Sequence, residues 1–217
     1  NKAEGYLSMS HSTFLNGFFS LNDLHKINVR SIPVVPGTFV TKKDCPDTDR
    51  PDLAMYTKFR SILRGIAHCA HWTHRELGPA VSMISKVMSN PGPKHMEFLL
   101  HMAGYLKGVA DKPLLLKRNR RLYPDKAIAV WGYCDADYAG CVDTRRSMTG
   151  YCIFADGMLL ATNARIQPSV TLSTTAAEFM AYHTIPCHAI PCHAIPYHTI
   201  PYHTIPYHTI PYHTIPY

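Results

Sequence analysis

From His183 to Tyr217 the chain reads HTI-PCHAI-PCHAI-PYHTI and then repeats PYHTI to its last residue. No other feature limits the fold so tightly. A proline at every fifth position removes a backbone donor and collides with the preceding helical turn, and it interrupts a strand ladder as well. The repeat is therefore predicted to be extended or disordered, and any packed core must come from the residues before it.

Seven of the fourteen histidines lie in the repeat at fixed spacing, and imidazoles on a flexible chain can collect Zn²⁺ or Cu²⁺. A specific histidine-repeat metal site, however, needs an ordered ligand set with supporting hydrogen bonds. Translation of tandem DNA explains more. The pentanucleotide CCATA, repeated three times, encodes Pro-Tyr-His-Thr-Ile, and shifting the frame only rotates the peptide. CCATG-CCATG-CCATA gives Pro-Cys-His-Ala-Ile, so one base change in two successive pentamers produces Cys187 with Ala189 and Cys192 with Ala194. Genomic DNA with unrelated codons in each unit would refute this origin.

All the charged residues precede His183: 22 Lys and Arg against 15 Asp and Glu, a formal net charge of +7. That basic balance favours a polyanionic partner such as nucleic acid. The seven cysteines are odd in number and include no C-x-x-C pair, which points to reduced thiols in an intracellular setting, cytoplasm or nucleus. There is no signal peptide and no apolar run long enough to span a bilayer, so no membrane partner is expected. The sequence carries no signal for an oligomeric state. It opens on Asn1 instead of Met, as a piece of a longer protein would.

Helical periodicity dominates the middle of the chain. Asp49-Arg50-Pro51-Asp52 supplies a cap and a first-turn proline, after which Tyr56, Phe59, Leu63, Ile66 and Ala70 recur on one face. A second helix is predicted from Gly78-Pro79, with Val81, Ile84 and Val87 inward, closed by Asn90-Pro91-Gly92-Pro93. A third covers about Lys94 to Lys107, with Met96, Leu99, Ala103 and Leu106 in the core. The basic run Lys117, Arg118, Arg120 and Arg121 then reads as a solvated loop or as a contact for nucleic-acid phosphates.

After Pro124 and Asp125 the pattern changes to strands. Ala127 to Tyr133 reads as a strand that delivers Asp135 and Asp137 near its end. Ser147 to Ala155 and Met158 to Asn163 flank Asp156-Gly157, a strong hairpin signal. Ser173-Thr174-Thr175 offers a cap for a helix over Ala176 to Ala181, with Glu178 in its first turns. An acidic residue on a strand and another on the following helix is one way to bring two carboxylates together over a sheet. Carboxylates so placed can hold Mg²⁺ ions that activate water and stabilise a leaving oxygen in phosphodiester hydrolysis.

"GYCDADYAGCVDTRRSMTGYCIF", Gly132 to Phe154, together with "VTLSTTAAEFMA", Val170 to Ala181, resembles the RNase H domain of copia-type retrotransposon polyproteins. "YLSMSHSTFLNGF", "YTKFRSILRGIAH" and "VMSNPGPKHMEFLLHMAGYLKG" resemble the end of the same polyproteins' reverse transcriptase and its connection to RNase H. The likeness implies an α+β chain in three parts. A helical reverse-transcriptase connection region over 1–121 is followed by a truncated RNase H-like fold of three antiparallel strands and one helix over 125–181. A disordered repeat tail covers 182–217.

The resemblance also implies the chemistry. Asp135 and Glu178 match catalytic and metal-binding carboxylates, Mg²⁺ is the implied cofactor, and an RNA–DNA hybrid is the implied partner, recognised by backbone and shape. Asp137 belongs to the motif with a local structural role, and Arg145 and Arg146 lie in a basic stretch that either faces solvent or meets the hybrid's phosphates.

Three departures bear on activity. Ala176-Ala177-Glu178 stands where the family usually has E-A-E. "ATNARI", Ala161 to Ile166, replaces a Trp- and Lys-rich stretch, and no Asp or Glu follows Glu178. Family catalysis resembles a four-carboxylate arrangement, and the reverse transcriptase's own aspartate pair, in a Y-x-D-D turn, is expected upstream of Asn1, so the resemblance implies two incomplete active sites and leaves enzymatic status open. A noncatalytic basic nucleic-acid binder is the alternative reading. Without a later parallel strand, the strand bearing Asp135 is expected to be an open edge.

Overall fold

The computed structural model describes residues 6–47, 52–117 and 130–189, with side chains of the last helix described as far as residue 184. In chain order the elements are β1 (Tyr6–Met9), α1 (Ser12–Leu21), α2 (Leu53–Trp72), α3 (Gly78–Ser85), α4 (Pro93–Gly108), β2 (Leu114–Lys117), β3 (Val130–Asp137), β4 (Met148–Ala155), β5 (Met158–Ile166) and α5 (Thr174–Ala189). The α+β expectation is met by a helical half and a three-stranded antiparallel sheet in the order β3-β4-β5, with a separate β1–β2 ribbon.

The helical half forms because four apolar stripes share one core. Asp52 caps α2 by accepting the Ala54 N–H at 3.0 Å, satisfying a donor that the helix itself leaves open. Asp49, Arg50 and Pro51 of the predicted start lie outside the described residues. Phe59, Ile62, Leu63 and Ile66 of α2 are buried against Leu15, Phe18 and Phe19 of α1, Ile84 of α3, and Leu99, Met102 and Leu106 of α4. Each such side chain contributes on the order of 1.5–3 kcal/mol of burial. Gly65 is required there, since a Cβ would stand 2.3 Å from the Phe18 ring. α3 is shorter than its periodicity suggests and ends at Ser85, although Val87 is still buried.

The start of α4 is tied to a 3-10 turn at Lys42–Asp44. Gly92 N–H donates to His95 Nδ1 at 2.9 Å, and the other ring nitrogen of His95 meets the Thr41 carbonyl at 2.9 Å. That pairing fixes the tautomer: Nδ1 accepts and Nε2–H donates. Gly92 also has no room for a side chain, because a Cβ would lie 2.0 Å from the Asp44 carbonyl oxygen.

Strand alternation organises the other half. In β4, Thr149, Tyr151, Ile153 and Ala155 are buried while the residues between them are half-buried. The hairpin turn forms where it is predicted, with Asp156 at φ 49° and Gly157 at φ 85°. α5 lies on the Thr149 face: Gln167 Nε2 donates to Thr149 Oγ1 at 3.0 Å and to the Ala177 carbonyl at 2.8 Å, and Ala177 and Ala181 are fully buried. Thr162, opposite Cys152 on the other face, donates to the Arg75 carbonyl at 3.3 Å, and the Arg75 guanidinium donates to the Leu160 carbonyl. The sheet thus sits between α5 and the helical half.

Some boundaries differ from the sequence reading. β3 runs on to Asp137, so Asp135 and Asp137 lie within the strand, and β5 extends to Ile166. Lys117 ends a strand, opposite Tyr6, where a loop is predicted. Residues 118–129, with Arg118, Arg120, Arg121 and Asp125, lie outside the described residues. α5 does not stop where the repeat begins but continues through Pro186 to Ala189. His183, Thr184 and Ile185 each carry an N–H that can extend the ladder, Thr184 Oγ1 donates to the Met180 carbonyl at 2.7 Å, and the proline withdraws only one donor. The repeat from residue 190 lies outside the described residues. No helix among the described residues is long and apolar enough to cross a membrane.

Candidate functional site

Asp135 belongs to β3 and Glu178 to α5, and the fold brings them together. Among the described residues β3 is an edge strand whose neighbour is β4, with Asp135 opposite Gly150 and Ala136 opposite Thr149. The Glu178 carboxyl accepts the Ala136 backbone N–H and lies against the Asp135 carboxyl. In an antiparallel strand, backbone groups point either at the partner or away from it. A bond from Ala136 to Glu178 therefore places the carboxyl on the outer edge of β3. The open edge expected from the sequence has one of its donors satisfied by the helix.

The Glu178 carboxyl is displaced upward in pKa. Partial burial raises its pKa above the usual glutamate range, the Ala136 N–H opposes that rise, and the charge and hydrogen bond of Asp135 add to it. The residue is nevertheless exposed overall, so the pair remains in contact with solvent. Cys134 feels the same surroundings: burial first, then Glu178, Asp135 and Cys152, push its thiol upward. On the Asp135 side of the sheet, Gly150 leaves open space, with no heavy atom within 4 Å of where its Cβ would be.

Asp137 does different work. Its carboxylate occupies the space over Gly140, where a Cβ would fall 1.9 Å from Oδ2. Gly140 N–H donates to the Asp137 carbonyl at 3.3 Å, and Ala139, at φ 53°, donates its N–H to Ser147 Oγ at 3.1 Å. Asp137 is part of a tight turn at the end of β3.

The loop from that turn to β4 carries Arg145 and Arg146, both exposed. Cys141 N–H donates to the Arg146 carbonyl at 3.0 Å, Arg145 N–H donates to the Cys141 carbonyl at 2.7 Å, and Arg145 adopts φ 57°. Asp143 anchors the loop to the helical half by accepting Thr41 Oγ1–H at 2.8 Å and Lys42 N–H at 3.1 Å. Lys86 Nζ approaches Cys141 Sγ at 3.6 Å from the same side. Both arginines stand at the end of the sheet that carries the carboxylates, whereas Lys117 belongs to the separate β1–β2 ribbon. Sequence reasoning does not single out Gln167 or Asp143, whose partners lie far off in the chain; the only local signal is a polar residue beside a turn.

As donors, Asp135 and Glu178 are hard oxygens suited to a hard cation. Mg²⁺ is commonly held by one or two carboxylates, with water and substrate phosphate filling its octahedron. The pair offers the oxygen type that such an ion takes. Among the described residues no group of three or more His, Cys, Asp or Glu is placed to hold a metal.

No family model matches the chain, and no solved structure matches it. It is similar to the retrovirus-related Pol polyprotein from transposon TNT 1-94 of Nicotiana tabacum, 29% identical over 153 residues, which are 70% of this chain and 11% of that one. The retrovirus-related Pol polyprotein from transposon RE1 of Arabidopsis thaliana is 27% identical over 142 residues, 62% of this chain and 9% of that one. The secreted RxLR effector protein 161 of Plasmopara viticola is 33% identical over 123 residues, 57% of this chain and 82% of that one. This chain spans about a tenth of the length of either polyprotein.

Proposed function

We propose that the chain, which is similar to the retrovirus-related Pol polyproteins of transposons, corresponds to the stretch where a copia-type reverse transcriptase ends and RNase H begins. The observation that carries the reading is the meeting of Asp135 and Glu178, one on the first strand of an antiparallel meander and the other on the helix that follows it. Such a polyprotein would use the pair on an RNA–DNA hybrid.

Mg²⁺ bound there would neutralise phosphodiester charge and acidify a water. What this chain's own residues do is narrower. Asp135 and Glu178 present two carboxylates at a strand edge, Ala136 N–H orients Glu178, and Arg145 and Arg146 face the backbone of the hybrid. A two-ion hydrolytic site needs more carboxylates than this pair, and no Asp or Glu follows Glu178 in the chain. The chain alone is proposed to bind hybrid without cleaving it.

Incubation of the purified chain with end-labelled RNA–DNA hybrid and Mg²⁺ tests both parts. Binding without cleavage is the expected result. Cleavage that disappears in Asp135→Asn would overturn the claim of inactivity, and absence of binding at low salt would overturn the nucleic-acid reading.

A further inference from the structure

The basic loop after β3 does not stand alone, because Asp143 fastens it to a second basic segment from the opposite half of the chain. Asp143 accepts Thr41 Oγ1–H at 2.8 Å and the Lys42 N–H at 3.1 and 3.2 Å through its two oxygens. The turn it grips is held from the other side as well. His95 bonds the Thr41 carbonyl at 2.9 Å, Thr41 Oγ1 accepts the Lys43 N–H at 3.1 Å, and Gly92 admits the Asp44 backbone where any Cβ would clash. Lys42 and Lys43 are exposed, as are Arg145 and Arg146, and none of the four forms an ion pair among the described residues.

Two of the nearby carboxylates are already engaged. Asp44 is paired with Lys94 at 2.6 Å, and both oxygens of Asp143 are occupied by the turn. Arg145 and Arg146 follow Asp143 by two and three residues, and successive Cα atoms are about 3.8 Å apart. The two basic pairs therefore flank one hydrogen-bonded junction at a separation on the order of the Debye length, about 10 Å at 0.1 M salt, so their fields add. Both lie toward the end of β3 that bears Asp135.

We infer that Lys42, Lys43, Arg145 and Arg146 form one phosphate-binding surface across the two halves of the chain, with Asp143 as the positioning residue that assembles it. The occupant is the sugar–phosphate backbone of the duplex whose strand reaches Asp135 and Glu178, so the inference rests on the nucleic-acid reading above. Lysines on a turn pinned at four backbone or side-chain points lose little freedom on binding, which favours their use as register-setting phosphate contacts over base readers.

The test measures affinity of the full chain for a fluorescent RNA–DNA hybrid of about 20 base pairs at several salt concentrations. Each phosphate contact contributes about 0.9 to the slope of log K against log salt. Lys42→Ala/Lys43→Ala is expected to reduce that slope by about 1.8, so its affinity deficit shrinks about twelvefold between 50 and 200 mM salt. Asp143→Ala separates assembly from simple charge: it raises net positive charge yet is expected to weaken binding, with the far-ultraviolet circular dichroism unchanged. Tighter binding by Asp143→Ala, or an unaltered slope in the double lysine variant while wild type binds, overturns this surface alone. Failure of the wild type to bind overturns the nucleic-acid reading together with it.

Discussion

Replacing Gln167 tests how the helix bearing Glu178 is held on the sheet. Gln167 is only 2% exposed. Its Nε2 donates to Thr149 Oγ1 at 3.0 Å and to the Ala177 carbonyl at 2.8 Å, while its Oε1 is buried without a partner among the described residues. Gln167→Met keeps the volume and deletes both donors together with the unpaired oxygen. Two net hydrogen bonds amount to about 2 kcal/mol, and relief of the unpaired oxygen returns about 1, for a net loss of about 1 kcal/mol. Gln167→Ala adds the cavity left by the side chain and is expected to cost about 3 kcal/mol. Urea unfolding followed through Trp131, which stacks on Phe154 within the sheet at 5.7 Å, reads the effect if Trp72 is first replaced by Phe. With a slope of about 1–3 kcal/mol per M, the Ala midpoint should fall by about 1–3 M and the Met midpoint by about a third of that. Equal losses for Met and Ala, or a loss below about 0.5 kcal/mol for Ala, would refute the reasoning.

Gly92→Ala sets a Cβ against the Asp44 carbonyl oxygen at 2.0 Å, whereas Gly17→Ala meets nothing within 4 Å. Thermal melting should show the first losing about 3 kcal/mol and the second gaining up to about 1 kcal/mol in its helix. Glu178 has a raised pKa in the fold, so the folded state binds more protons; its contribution is full below the ordinary glutamate range and is lost as pH climbs through the folded value. Solvent screening keeps that contribution below about 1 kcal/mol. Glu178→Gln mimics the protonated form, so stability measured across this range should lose its slope; an unchanged slope assigns it elsewhere. Burial pushes the Cys69 thiol up to about 11, so at pH 8 an alkylating reagent should reach Cys69 only in step with unfolding, as read by mass spectrometry of the labelled peptide.

Local chemistry made much of the fold legible. The α2 cap at Asp52, the Asp156-Gly157 hairpin and the breaker before α4 each depend on a few consecutive residues. Their φ preferences and hydrogen-bonding groups act the same way in any surroundings. The β1–β2 ribbon and α1 are not legible in this way: four-residue strands carry too little alternation, and each needs a partner distant in the chain. The end of α5 is another limit, since proline spacing argues against helix while a single proline can be tolerated within one.

At the site, the residue types and their placement on a strand and a following helix were written in the sequence, and the resemblance picked out Asp135 and Glu178. Sequence by itself determined that the chain is basic and that two acidic groups sit on a strand and on a helix that follows it after a hairpin. Tertiary structure decided that Glu178 reaches over the outer edge of β3 to Ala136 and Asp135, and that Asp143 ties Lys42 and Lys43 to the arginine loop. Those outcomes depend on packing between residues far apart in the chain, where burial and backbone donors choose the partner. No local preference encodes that choice.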